Sequence, residues 1–96
     1  MTGREGSTEE GPAVPLRCVV LLFAGIAEAV GEERVEVELR EGATVDDALD
    51  ALAREHAAIA EQRASLAVAV DERYARRDDV LRDGCVLALI PPVSGG

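Results

Sequence analysis

The chain contains no lysine: all ten of its basic residues are arginine. Genomic bias accounts for such a choice, yet it has a chemical consequence, because the protein then offers no side-chain amine to receive an isopeptide bond. Histidine is reduced to His56, and the two cysteines, Cys18 and Cys85, lie far apart in sequence. That set falls short of the usual metal-ligand groupings. Both cysteines sit in apolar runs and read as small buried hydrophobes, with no disulfide expected in a cytosolic chain. No glycine-rich phosphate loop follows a strand, and no serine or cysteine has a nearby base. No stretch approaches the roughly 18 apolar residues of a membrane span, and no signal-peptide core is present, so a cytoplasmic protein is expected. A basic surface is absent too, since 19 acidic residues give a formal net charge of −9. This argues against nucleic acid as a partner and suits docking on basic protein surfaces, although solubility explains the same excess.

Ninety-six residues make one domain. Residues 1–15 are polar, rich in Gly and Glu and without apolar periodicity, which reads as a disordered leader. Leu16 to Gly25 is a continuous apolar run closed by glycine, a strand buried on both faces, and IAEAVG gives a short helical turn ending at Gly31. In Arg34 to Arg40, Val35, Val37 and Leu39 alternate with Glu36 and Glu38, the pattern of a strand with one wet face. After a tight Glu41-Gly42 junction, TVDDALDALAREHAA carries the clearest helix. Thr44 is its N-cap, Asp46 and Asp47 meet its positive end, and Val45, Ala48, Leu49, Leu52, Ala53 and His56 form one stripe. His56, at the end of that stripe, reads as packed rather than catalytic.

The stretch Ala58 to Ser65 looks irregular. Leu66 to Val70 is an apolar strand, Asp71-Glu72 a hairpin turn, and Arg73 to Ala75 a short strand. The following ARRDDVLRDG is a polar connection in which Val80 and Leu81 dip into the core. Cys85 to Ile90 is the last strand, ended by proline, which has no amide hydrogen for the ladder. The pattern predicts an α+β domain with a mixed sheet of four to five strands and one principal helix on one face.

One helix covers only one face, yet three strands are apolar on both. In the last strand Leu87 and Leu89 point one way and Val86, Ala88 and Ile90 the other. Either irregular segments of the same chain cover that second set, or a partner docks on it. Paired carboxylates, Asp46-Asp47 and Asp78-Asp79, read as capping and solvated charge. By itself the domain looks inert, with no bound cofactor expected.

The remaining chemistry lies in the last residues, IPPVSGG. A frayed terminus is the plain reading. Against it, Pro91 and Pro92 hold an extended backbone directed away from the sheet. Pro92 to Gly96 can span up to ~17 Å, and Gly95 and Gly96 present a tip without side chains that a narrow channel admits. The reactive group would be the α-carboxylate of Gly96, which another enzyme must activate, most simply as a mixed anhydride with AMP.

PPVSGG, the strand and DG turn of LRDGCVLALI, the opening VVLLFAG followed by EAVG, and EGATVDDALDALAREH together resemble the MoaD type of β-grasp sulfur carrier, the small subunits of molybdopterin synthase. The resemblance covers roughly residues 16–96. It implies a ubiquitin-like β-grasp fold over residues 16–91 and a flexible tail over residues 92–96. It further implies that a ubiquitin-activating-like adenylyltransferase uses ATP to adenylate Gly96, and that a sulfurtransferase system converts it to a thiocarboxylate. The tail, matched here by Pro92, Val93, Ser94 and Gly95 with Gly96, would insert into the molybdopterin synthase large subunit, which builds the dithiolene. Pro91, Ile90 and the face shared by Ala88 and Val86 match the docking surface. Carriers for thiamine thiazole or cysteine biosynthesis share the fold and the Gly-Gly end, a ubiquitin-like modifier conjugated through Gly96 is a further reading, and a plain interaction module is another.

Overall fold

The computed structural model describes residues Pro15 to Pro92. The elements in chain order are β1 (Leu16–Leu22), α1 (Ala24–Val30), β2 (Arg34–Leu39), α2 (Val45–Glu55), α3 (Ala57–Gln62), a 3-10 turn (Arg63–Ser65), β3 (Ala67–Val70), β4 (Arg73–Tyr74) and β5 (Val86–Ile90). The strands form one mixed sheet in the order β2-β1-β5-β3-β4. Strands β1 and β5, the first and last of the described fold, are parallel neighbours at its centre, while the other pairs are antiparallel. This is the ubiquitin-like β-grasp arrangement.

Alternation along β1 explains the layering. Leu16, Cys18, Val20 and Leu22 are buried, whereas Arg17 is exposed and Val19 and Leu21 are half-buried. The inward set meets Leu87 and Leu89 of β5, Val68 of β3 and the stripe Val45, Ala48, Leu49 and Leu52 of α2 in one apolar cluster. Transfer of such side chains from water supplies the main drive for folding.

Local sequence sets the helix ends. The Thr44 hydroxyl accepts from the Asp47 amide at 3.2 Å while the Asp47 carboxylate accepts from the Thr44 amide at 3.0 Å. This capping box satisfies two amides that the helix cannot pair itself. Helix α1 closes at Gly31, whose φ of 89° lets its amide bond back to the Ala27 carbonyl. In the β3–β4 hairpin Asp71 and Glu72 both have positive φ, 50° and 73°, the pattern of a two-residue turn matched to strand twist.

Two sequence expectations are corrected. Residues 58–65 are not irregular: α3 and the 3-10 turn occupy them, and Ile59 is fully buried. Helix α3 is six residues long and buries one apolar side chain, too little to show a helical period. His56 separates it from α2 by adopting an extended backbone, φ −134° and ψ 106°, and its carbonyl accepts from the Ile59 and Ala60 amides. Arg63 fastens the segment, bonding to the carboxylates of Asp46 and Asp50. The second correction concerns Val80, which is 65% exposed; Leu81 alone enters the core, because Val80 lies outward on a short bridge to Thr44. The helix layer therefore has α1 and α3 beside α2, all on one face of the sheet.

Candidate docking face and tail root

The register shows how β5 is shared between two environments. On the helix side, Leu87 lies beside Val20 of β1 and Val70 of β3, and Leu89 beside Leu22 and Val68; both leucines are at most 1% exposed. On the other side Val86 lies beside Val19, and Ala88 between Leu21 and Ala69. Ile90 lies beside Ala67. Val86, Ala88 and Ile90 are half-buried, held by their strand neighbours but roofed by no helix. Among the described residues, no segment crosses this face, so the apolar set anticipated from sequence is where it was placed and lacks a cover.

Charge and shape frame the face. On the β2 side Arg34, Glu36 and Glu38 stand opposite Leu21, Val19 and Arg17, and the Arg17 guanidinium donates to the Glu38 carboxylate at 2.8 Å. On the β4 side stands Tyr74, opposite Ala69 and 78% exposed. The centre of the sheet, Ala88 and Ala69, is thus low, and Leu21 and Tyr74 rise on either side. Such an exposed apolar patch with a polar rim has the composition of an interaction surface.

Strand β5 is anchored at its start. The Asp71 carboxylate accepts from the Val86 amide at 2.9 Å, and the Asp71 amide donates to the Val86 carbonyl at 2.9 Å. Just before Cys85, the turn at Arg82–Gly84 places Asp83 to accept from the Arg17 amide at 2.8 Å, and Gly84 adopts the φ of 83° that the turn requires. From this fixed root the strand runs to Ile90. Pro91 is half-buried and Pro92 exposed, so the chain leaves the sheet at that point. Val93, Ser94, Gly95 and Gly96 lie outside the described residues.

One residue at the exit was missed in sequence. Phe23 was counted within the buried run of β1, but it follows the strand and is 46% exposed. The pairing of Leu22 with Leu89 sets it at the level of Ile90, next to the departing chain. Ala24, with a φ of 52°, turns the backbone there, and the Phe23 carbonyl accepts from the Ile26 and Ala27 amides at 3.2 and 3.4 Å. The signal was that Phe23 and Tyr74 are the sole phenylalanine and tyrosine of the chain, and both flank this face rather than the core.

Elsewhere the surface carries little that could do chemistry. A depression of about 580 Å³ between β2 and α2 is lined by Glu38, Glu41, Asp47 and Asp50 with Arg40 and Arg54, solvated charge without a nucleophile and base in contact. Among the described residues no group of three or more His, Cys, Asp or Glu could hold a metal ion. No helix among the described residues is long and apolar enough to cross a membrane.

Cys18 lies on the helix side of β1, and Cys85 immediately precedes β5 on the same side. Both are buried and free, with sulfurs 3.0 Å apart, and the Cys18 thiol also points to the Arg82 carbonyl at 3.7 Å. Burial, and then the neighbouring thiol, push the Cys18 thiol up from 9.0 to about 12. Their reading as buried hydrophobes holds.

Comparison with known proteins agrees with the topology. Residues 20–96 match the model of the ThiS family. The molybdopterin synthase sulfur carrier subunit of Chlamydomonas reinhardtii is 35% identical over 79 residues, covering 80% of this chain and 95% of that protein. Small archaeal modifier protein 1 of Haloferax volcanii is 38% identical over 90 residues, covering 78% and 95%. The crystal structure of that archaeal protein superposes with a TM-score of 0.75 at 37% identity, covering 83% of this chain and 99% of the other. With matching fold and sequence, the chain belongs to the ThiS family of β-grasp sulfur carriers, the group that includes the MoaD type.

Proposed function

We propose that the protein carries sulfur as a thiocarboxylate at Gly96 and delivers it within molybdopterin synthase for dithiolene formation. The observation that carries this reading is the continuity of β5. One side of the strand is locked into the core through Leu87 and Leu89, the other presents Val86, Ala88 and Ile90 with no roof among the described residues, and the sequence continues from the strand through Pro91-Pro92 to Val93-Ser94-Gly95-Gly96. A rigid, apolar base for a thin tail suits a protein whose reactive end must be held deep in a partner. Likeness to molybdopterin synthase sulfur carrier subunits supports the pathway.

The proposed sequence begins with a ubiquitin-activating-like adenylyltransferase. The Gly96 carboxylate attacks ATP, releasing pyrophosphate and leaving an acyl-adenylate. A sulfurtransferase system then supplies sulfur in place of AMP. The loaded carrier docks through the open sheet face on the molybdopterin synthase large subunit, with Phe23, Ile90 and Pro91 at the mouth and Pro92 to Gly96 inside. The carrier contributes no catalytic side chain; its residues bind, aim and present. On this reading the protein works in the cytoplasm with its partners.

A second reading rests on likeness to the archaeal modifier: attachment through Gly96 to lysines of other proteins. The two are separated by reconstitution. With a molybdopterin synthase large subunit and a thiocarboxylated carrier, the proposed function predicts a stable complex and conversion of the pyranopterin precursor. Failure of the loaded carrier to bind or support conversion, with lysine-linked adducts abundant in cells, would overturn it in favour of the modifier.

A further inference from the structure

We propose that Cys18 and Cys85 form a dithiol–disulfide couple, and that oxidation ties β1 covalently to the root of β5. The register of the parallel pair sets Val19 beside Val86, so one residue earlier the two cysteines stand side by side on the helix-facing side. Neighbouring strands lie ~4.8 Å apart, within the Cα separation that a disulfide tolerates. The sulfurs at 3.0 Å need to close by only ~1 Å to reach bond length. Two small buried hydrophobes would satisfy the core anywhere in it; contact between two thiols whose residues are 67 apart in sequence is an additional fact.

Access decides how the couple behaves. Cys18 is fully buried, and Cys85 only slightly less so, at 4% exposed. Cys85 follows the exposed turn Arg82–Gly84, which is held to β1 by the Arg17 amide on the Asp83 carboxylate and by the Gly84 amide on the Arg17 carbonyl, so these bonds must open before an oxidant reaches it. A low-molecular-weight disulfide is the oxidant. The Cys85 thiol loses its proton and attacks one sulfur of that disulfide, releasing one small thiol and leaving a mixed disulfide on Cys85. The Cys18 sulfur then displaces the second small thiol as the protein bond forms, and its proton also departs. The two protein thiols thereby give up two electrons and two protons, and the oxidant becomes two thiols. Burial and the scarcity of Cys18 thiolate make this exchange slow in both directions, so the bridge, once formed, resists reduction.

The test uses the full chain incubated with oxidised glutathione, then read by intact mass, non-reducing peptide mapping and thermal melting. The expected product is a monomer lighter by two hydrogen atoms, with the peptides of Cys18 and Cys85 linked. Its Tm is expected to rise by ~10 °C or more, because the bridge closes a long loop in the unfolded chain, and to fall back after reduction. In Cys18→Ala and Cys85→Ala chains the shift should vanish; the wild-type mass and map decide even if a variant folds poorly. Both cysteines still alkylating after denaturation, glutathione held on one cysteine, disulfide-linked dimers, or a bridged chain that melts lower would each overturn the proposal.

Discussion

Replacing Ala88 by arginine separates the two sides of β5. Ala88 is at the middle of the open face, between Leu21 and Ala69, and no helix among the described residues lies above it. In the free protein the long side chain can lie across apolar neighbours and keep its guanidinium in water, so the expected change in stability is within ~1 kcal/mol. In the proposed complex the same guanidinium would be trapped between two apolar surfaces without a partner. An uncompensated buried charge costs ~3–5 kcal/mol, and at ~1.4 kcal/mol per factor of ten the dissociation constant should rise by roughly two to three and a half powers of ten. Isothermal titration calorimetry with a molybdopterin synthase large subunit measures the loss, and a melt checks the fold. Val80→Arg supplies the control, since Val80 is exposed beside the start of α2, away from this face, and should bind as wild type. Ala88→Arg binding within threefold of wild type, in a chain of unchanged Tm, would refute the assignment of the face.

Other consequences follow from the core and its caps. Leu89→Ala removes a fully buried side chain opposite Leu22 and Val68 and should cost ~2–5 kcal/mol, read as a lower denaturant midpoint at unchanged slope. Thr44→Ala breaks the capping box and should cost ~1 kcal/mol by the same assay. Stability should also fall at high pH. Cys18 titrates near 9.0 unfolded and about 12 folded, so across that window the unfolded state binds fewer protons. Its contribution is complete below pH 9 and lost as pH rises toward 12. In Cys18→Ala the part of the alkaline loss due to this thiol should disappear, and an unaltered pH profile would contradict the shift.

Much of the fold was legible because its signals are local. Thr44 with Asp47, the alternation of Val35, Val37 and Leu39, and the Asp71-Glu72 turn each state their structure within a few residues. Helix α3 was not legible, because one buried isoleucine among alanines has no period. The misplacement of Val80 arose in the same way: in Val80-Leu81 two adjacent apolar residues compete for one inward position, and only the bridge to Thr44 decides it. Counting apolar sides against available covers, a global argument, located the second apolar set of β5 but left open whether the chain itself covers it; among the described residues no segment does. What that count could not supply was register, and register is what sets Phe23 beside Ile90 and Cys18 beside Cys85. Contacts between residues more than 60 positions apart leave no mark on a single sequence.

Sulfur carriage, as proposed, comes down to one atom at Gly96. Incubation of the protein with ATP, a ubiquitin-activating-like adenylyltransferase and a sulfur donor, followed by intact mass spectrometry, tests it most directly. The expected product is heavier by the difference between a sulfur and an oxygen atom, with the change mapped to Gly96 and absent when Gly96 is deleted. An unmodified mass, under conditions where an established carrier is converted in parallel, would contradict it.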